Sequence, residues 1–144
     1  MDERFAVIDA AIRYARACDE RDWVLLAGVF TPDVVVDYST GNHVEGREAV
    51  VAGVRVALEG SGPSQHLLGN HDVEVDGERA RSSCCVRAFS VGAPGGAFAD
   101  QTYELFATYN DELVRTDDGW QVAKRRMDIA YELGERRVLF VGAT

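Results

Sequence analysis

The chain has 144 residues, 47% of them hydrophobic and 9% aromatic, which suits one domain with a core of its own. Its 24 acidic against 15 basic residues leave a net charge of −9, which opposes contact with a phosphate backbone or anionic lipid and so excludes nucleic acid and membrane surfaces as expected partners. The three cysteines, Cys18 and the adjacent Cys84 and Cys85, form neither a spaced disulfide framework nor a C-x-x-C zinc pair, which fits a reducing compartment.

Met1-Asp2-Glu3-Arg4 carries no basic region followed by an apolar run, and no later stretch stays apolar long enough to span a bilayer. The expectation is a soluble, cytoplasmic protein with one domain over 1–144, in which 132–144 forms a C-terminal tail or a lid on a cavity. Residues 5–18 then place Phe5, Ile8, Ile12, Ala15 and Cys18 at three- and four-residue steps, which predicts a helix with one apolar face. Asp19 follows four residues after Ala15. It reads either as a solvated carboxylate at a helix end or as an acid facing inward. Asp22 has the position of a cap for a second, short helix from Trp23 to Val29, with Trp23 in the core.

Phe30-Thr31-Pro32-Asp33 interrupts the helical pattern, and the β-branched run Val34-Val35-Val36-Asp37-Tyr38 predicts a buried strand. Tyr38 ends that strand as a core tyrosine with its hydroxyl at the rim or as a pocket residue. Ser39-Thr40-Gly41-Asn42 is a turn cluster that leaves His43 exposed. Gly46-Arg47-Glu48 opens a third helix, with Val50, Val54 and Leu58 on its apolar stripe, which Glu59-Gly60-Ser61-Gly62-Pro63 stops.

From here the period changes to two. Strands are predicted over 65–75, 79–91, 98–115 and 120–131, joined by Asp76-Gly77-Glu78, by a loop over 92–97 and by Thr116-Asp117-Asp118-Gly119. On simple alternation His66 and Val73 fall on opposite faces of the first of these strands, so a bulge at Gly69 is expected to bring them to one side. In the second strand Cys84, Val86 and Ala88 alternate with Cys85, Arg87 and Phe89, so both faces carry apolar groups. A homodimer or homotrimer through the sheet is the corresponding expectation. Helices followed by long antiparallel strands give an α+β class.

His66 is the candidate for chemistry, since an imidazole with a carboxylate partner in an apolar pocket can move protons near neutral pH. Other routes lack their motifs: there is no G-x-G-x-x-G, no H-E-x-x-H or H-x-H and no G-x-S-x-G, so no cofactor and no metal are expected.

Taken together, Asp19-Glu20-Arg21-Asp22-Trp23, Phe30-Thr31-Pro32-Asp33, Val36-Asp37-Tyr38, Gly46-Arg47-Glu48, Gln65-His66 and Asp118-Gly119-Trp120 resemble, in order and spacing, the SnoaL-like branch of the nuclear transport factor 2-like superfamily. Within it the resemblance is to the group of scytalone dehydratase and hexachlorocyclohexane dehydrochlorinase. It implies a cone-shaped barrel, a strongly curved, mixed but mostly antiparallel sheet wrapped around three N-terminal helices. It further implies that His66 is a general base, that Asp19 holds its tautomer and stabilises its cation, and that Tyr38 helps polarise a substrate oxygen. Tyr14, Trp23, Phe89, Tyr109 and Arg115 become the expected substrate-contacting residues. The sequence departs from the group at Cys18, where scytalone dehydratase has a tyrosine, and near Phe89-Ser90, where it has a second histidine. The implied activity is cofactor-independent acid–base catalysis, as dehydration, elimination, isomerisation or cyclisation of a small hydrophobic, aromatic or polyketide-like ligand. The alternative on the same fold is a non-catalytic binding cup or structural subunit.

Overall fold

In the computed structural model, which describes residues 2–142, the chain opens with α1 (Glu3–Glu20), whose free first-turn N–H at Arg4 donates to the Asp2 carboxylate. Of the expected stripe Ala15 and Cys18 are buried, whereas Phe5 is 66% exposed and Ile12 38%. The buried side is instead Val7, Ala10, Ala11, Tyr14, Ala17 and Cys18. Small alanines let the helix lie close to the strands, and one large ring, Tyr14, reaches inward. The helix ends where Arg21 turns left-handed (φ 57°), with its N–H donating to the carbonyls of Ala17 and Cys18. Asp22 then caps α2 (Trp23–Gly28) by accepting from the Leu25 N–H.

β1 (Phe30–Tyr38) starts earlier than its β-branched run suggests. Its register is irregular between Phe30 and Val35, and there Pro32, which has no N–H, and Asp33 sit exposed. β2 (His43–Glu45) folds back on it, and α3 (Arg47–Leu58) buries Val50, Val54 and Leu58 as the spacing predicts. The four long strands are β3 (Ser64–Asp76), β4 (Arg79–Val91), β5 (Thr102–Thr116) and β6 (Gly119–Gly134). β5 begins later than expected because the loop before it closes on itself, with Gly92 N–H donating to Gln101 O at 3.0 Å.

The strand order is β2-β1-β6-β5-β4-β3, with β1 and β6 parallel and every other pair antiparallel. This corrects the expected cone-shaped barrel. The sheet is open, because the three-residue β2 pairs only with β1 while β3 pairs only with β4, and these two edges do not meet. Nor do three helices precede the sheet: α3 follows β1 and β2, so α1 and α2 alone come before the strands. The α+β class and the mixed, mostly antiparallel sheet remain. α1 packs across β3 and touches β6 and β4, while α3 lies against β1, β2 and α2.

β3 carries the expected irregularity. Its register to β4 shifts between Gly69 and Asp72, and Asn70 takes φ 53°, so one extra residue resets the alternation. Ser64, His66 and Leu68 before the bulge, and Val73 and Val75 after it, then share the side turned to the helices. After β6 a 3₁₀ turn, Arg136–Val138, buries Val138 completely, and Phe140 N–H donates to Ala57 O at 2.9 Å. The tail thus packs on the end of α3 as far as it is described; residues 143 and 144 lie outside the described residues.

Candidate active site

The bulge and the end of α1 bring two distant residues together. His66 Nδ1 lies 2.7 Å from Asp19 Oδ1, and the His66 backbone N–H donates to Asp19 Oδ2 at 2.8 Å. The carboxylate can only accept here, so Nδ1 carries the proton and Nε2 is left with its lone pair. The His66 side chain is 8% exposed and that of Asp19 22%. Ser64 Oγ donates to Asp19 Oδ1 at 2.8 Å. Arg21 in turn donates through Nη1 to Ser64 Oγ and to Cys18 O, both at 2.7 Å, and through Nη2 to Gly62 O at 2.7 Å. The left-handed turn at Arg21 is what aims its guanidinium across the gap between α1 and β3.

Burial pushes the Asp19 carboxyl up, but the hydrogen bonds from the His66 ring and backbone, the electrostatic attraction of that ring and the Ser64 hydroxyl outweigh it and hold the group below its ordinary value. Asp19 is therefore an anion at neutral pH, ready to stabilise a cation on His66. Burial, opposed by the charge of Arg125, raises the Tyr38 phenol above its ordinary value, so it stays protonated and can donate. Cys18, one residue before Asp19, is fully buried, and its thiol is pushed up to about 12 by desolvation. It is not a nucleophile at neutral pH.

Beyond His66 the interior is aromatic around one cation. Tyr14 meets the His66 ring edge-on, with centroids 6.4 Å apart, and stands edge-on to Tyr109 at 5.5 Å and to Phe30 at 6.0 Å. The Arg125 guanidinium lies 4.3 Å from the Tyr14 ring centroid and 4.0 Å from that of Tyr109. Asp111 accepts from its Nε at 2.8 Å and its Nη2 at 2.9 Å, while Nη1 is buried without a hydrogen-bond partner among the described residues. Burial works against the charge of Arg125, but Asp111 and the two rings hold its pKa above the ordinary arginine value. It is a permanent cation.

Of the expected site residues, the structure gathers His66, Asp19, Tyr14 and Tyr109 as described, and Tyr38 shares the helix-facing side of β1 with Val34 and Val36. Trp23 is half-buried at the start of α2, with the Arg55 guanidinium 6.0 Å from its ring centroid, and among the described residues no hydrogen bond or ring stacking joins it to His66. Phe89 does not reach the site. It is 41% exposed on the opposite face of the sheet, while its neighbour Ala88 is the residue paired with His66. Arg115 is also remote, paired with Glu3 and stacked 5.5 Å from the Trp120 ring. The interior arginine is Arg125, which sequence reasoning missed. Alternation could have found it, because Arg125, Met127 and Ile129 lie in phase on β6, as do Tyr109, Asp111 and Leu113 on the neighbouring β5. His43 is exposed as expected but engaged, with Nδ1 2.5 Å from Asp37 Oδ1 and Nε2 3.0 Å from Glu45 Oε1.

Among the described residues no three His, Cys, Asp or Glu side chains gather as a metal ion would require, and no helix is long and apolar enough to cross a membrane. Residues 1–126 match the sequence profile of the SnoaL-like domain. The uncharacterized protein Rv2910c of Mycobacterium tuberculosis is 33% identical over 128 residues, which cover 87% of this chain and 84% of that protein. A Novosphingobium aromaticivorans protein provisionally named an aromatic ring hydroxylase superposes with a TM-score of 0.83 at 25% identity, covering 95% of this chain and 96% of its own. The hexachlorocyclohexane dehydrochlorinase LinA-type3 of Novosphingobium barchaimii has a TM-score of 0.76 at 19% identity over 92% of this chain and 89% of its own, a likeness of fold.

Proposed function

The chain belongs to the SnoaL-like domain family, and from that membership together with the His66–Asp19 pair we propose that it is a cofactor-independent acid–base enzyme acting on a small hydrophobic or polyketide-like molecule. The observation that carries this reading is the double link between the two residues. Asp19 holds both the backbone and Nδ1 of His66, so the free nitrogen, Nε2, is the one that meets substrate.

In the proposed step His66 Nε2 removes a proton from carbon next to a carbonyl or a leaving group. The C–H electrons form a double bond, and the electron pair passes to the carbonyl oxygen or departs with the leaving group. The imidazolium so formed is stabilised by Asp19, and Tyr38, still protonated, donates to the oxygen that gains charge. Tyr14 and Tyr109 supply aromatic walls, and Arg125 behind them places a fixed positive charge near that negative charge. Dehydration, elimination, isomerisation and cyclisation share this first step. Names such as dehydrochlorinase, carried by a structural relative, favour elimination among them.

The test is to incubate the protein and its His66→Ala variant in D2O with a panel of β-hydroxy ketones, cyclic enones and chlorinated cyclohexanes, following solvent deuterium uptake and product by mass spectrometry. Exchange or product formation that depends on His66 supports the reading. Ligand binding with neither, across the panel, replaces it with a binding cup of the same fold.

A further inference from the structure

The strand registers set His66 at one end of a row of side chains that crosses the helix-facing side of the sheet. His66 on β3 pairs with Ala88 on β4, Ala88 with Leu105 on β5, and Leu105 with Glu132 on β6. Glu132 reaches that side because the β5–β6 register slips between Phe106 and Ala107, leaving Ala130 unpaired, as the irregularity after Gly69 does for β3. The next row agrees: Tyr103 pairs with Ser90 and Ser90 with Ser64, whose hydroxyl reaches Asp19, and the Tyr103 hydroxyl donates to Glu132 Oε1.

Water reaches this row but not the one deeper in the fold. Tyr109 and Cys84 are buried there, whereas Leu105 and Ile129 are only partly covered and the Glu132 side chain is 41% exposed. β6 also runs on past its last pairing with β1, at Met127, so the segment that carries Glu132 lies along an open edge. Ala88 and Leu105 thus form an apolar floor, with the His66 imidazole at one end and a carboxylate at the other.

A carboxylate only accepts hydrogen bonds. Both groups near Glu132 use the same oxygen: Tyr103 donates to Oε1 and Arg136 Nε lies 3.8 Å from it, while no donor among the described residues reaches Oε2. Burial, then the hydrogen bond to Glu132 and its charge, raise the Tyr103 phenol far above its ordinary value, so it stays a donor and fixes the carboxylate. Because Arg136 already answers the charge of Glu132, a hydroxyl suits Oε2 better than a second cation does. The two ends of the row are three strand spacings apart, about 14 Å, and an approach of about 3 Å at each end leaves about 8 Å between the reacting carbon and that hydroxyl.

We propose that Glu132, held by Tyr103, is a substrate-recognition residue that accepts a hydrogen bond from a hydroxyl group at the far end of the substrate from the carbon His66 deprotonates. The proposal rests on the acid–base reading of His66 and adds the substrate's form: an elongated molecule, apolar in its middle, with the reacting group at one end and a hydrogen-bond donor at the other.

The probes are para-hydroxybenzylacetone, its methyl ether and benzylacetone, which share one ketone and differ only at the far end. Each is titrated by calorimetry into the intact chain, Glu132→Gln and Glu132→Ala, with far-UV circular dichroism to establish the fold of each variant. The intact chain is expected to bind the phenol about tenfold or more tighter than the ether or the parent ketone. In Glu132→Gln, whose amide oxygen still accepts from Tyr103, that preference is expected to fall to within about threefold, with the other two affinities held; Glu132→Ala repeats the test should the first variant fail to fold. Equal affinities for the three probes in the intact chain, no measurable binding of any of them, or a preference that survives in a folded variant would overturn the proposal. Deuterium uptake next to the ketone in D2O reports on His66 separately. A phenol preference without His66-dependent uptake keeps the Glu132 site and removes the acid–base reading, and uptake without the preference does the reverse.

Discussion

Asp19 holds His66 at two points, the ring Nδ1 at 2.7 Å on one oxygen and the backbone N–H at 2.8 Å on the other, so the carboxylate sets both the tautomer of the ring and the position of its strand. Asp19→Asn keeps the shape but offers Nδ1 either an oxygen or an NH2 group. The expected outcome is a mixed tautomer in the imidazole ¹⁵N spectrum and a loss of about a hundred- to ten-thousandfold in turnover. Turnover unchanged in Asp19→Asn would remove the pair from the mechanism.

The same carboxylate links stability to acidity. Its folded pKa lies below the ordinary 3.8, so the stabilisation it contributes is fully present above that value and is lost as pH falls through the lower folded one. Denaturant melts of the wild type and Asp19→Asn should therefore differ most near neutral pH and converge below about pH 4. A gap that stays constant through the acid range would show that the charge of Asp19 is not what stabilises the fold.

Ser64 stands between Arg21 and Asp19, accepting from the first and donating to the second, each within 2.8 Å. Ser64→Ala leaves both neighbours in place but removes the hydroxyl that helps fix the carboxylate. We expect it to cost about 1–3 kcal/mol and to lower kcat more than it raises KM, because it acts on the orientation of His66 and not on substrate contact. Steady-state kinetics beside a urea melt separates the two effects.

Arg125 and Asp111 are 2% and 6% exposed and joined by two hydrogen bonds. Asp111→Asn strands a buried cation that already has one unpaired nitrogen. The expected destabilisation is about 3–5 kcal/mol by chemical denaturation, with Arg125→Met/Asp111→Leu recovering most of it. Failure of the paired apolar substitution to recover would mean that the aromatic stack on the guanidinium, and not charge pairing, carries the stability.

His43 links β1 to β2 through Asp37 and Glu45, whose hydrogen bonds raise its pKa above 6.5. A raised folded value means that this stabilisation is present below the unfolded pKa and is lost as pH rises through the folded one. His43→Asn should lower Tm at pH 5.5 and leave it unchanged at pH 9. Equal losses at both pH values would assign His43 a packing role instead.

What the sequence determined by itself was local. The period-two strands, the α3 stripe at Val50, Val54 and Leu58, the cap at Asp22 and the parity clash that demands a bulge near Gly69 are properties of neighbours along the chain, and they were legible without coordinates. His66 and Asp19 stood out through motif order, but nothing within either stretch could say that they meet. The tertiary structure decided that, along with which side of α1 is buried, which arginine lies inside and whether the sheet closes. Each depends on pairing between residues far apart in the chain: alanines against strands, Asp111 against Arg125, β3 against β4 alone. A helix or strand pattern defines its faces, while the choice of face is made by the partner that covers it.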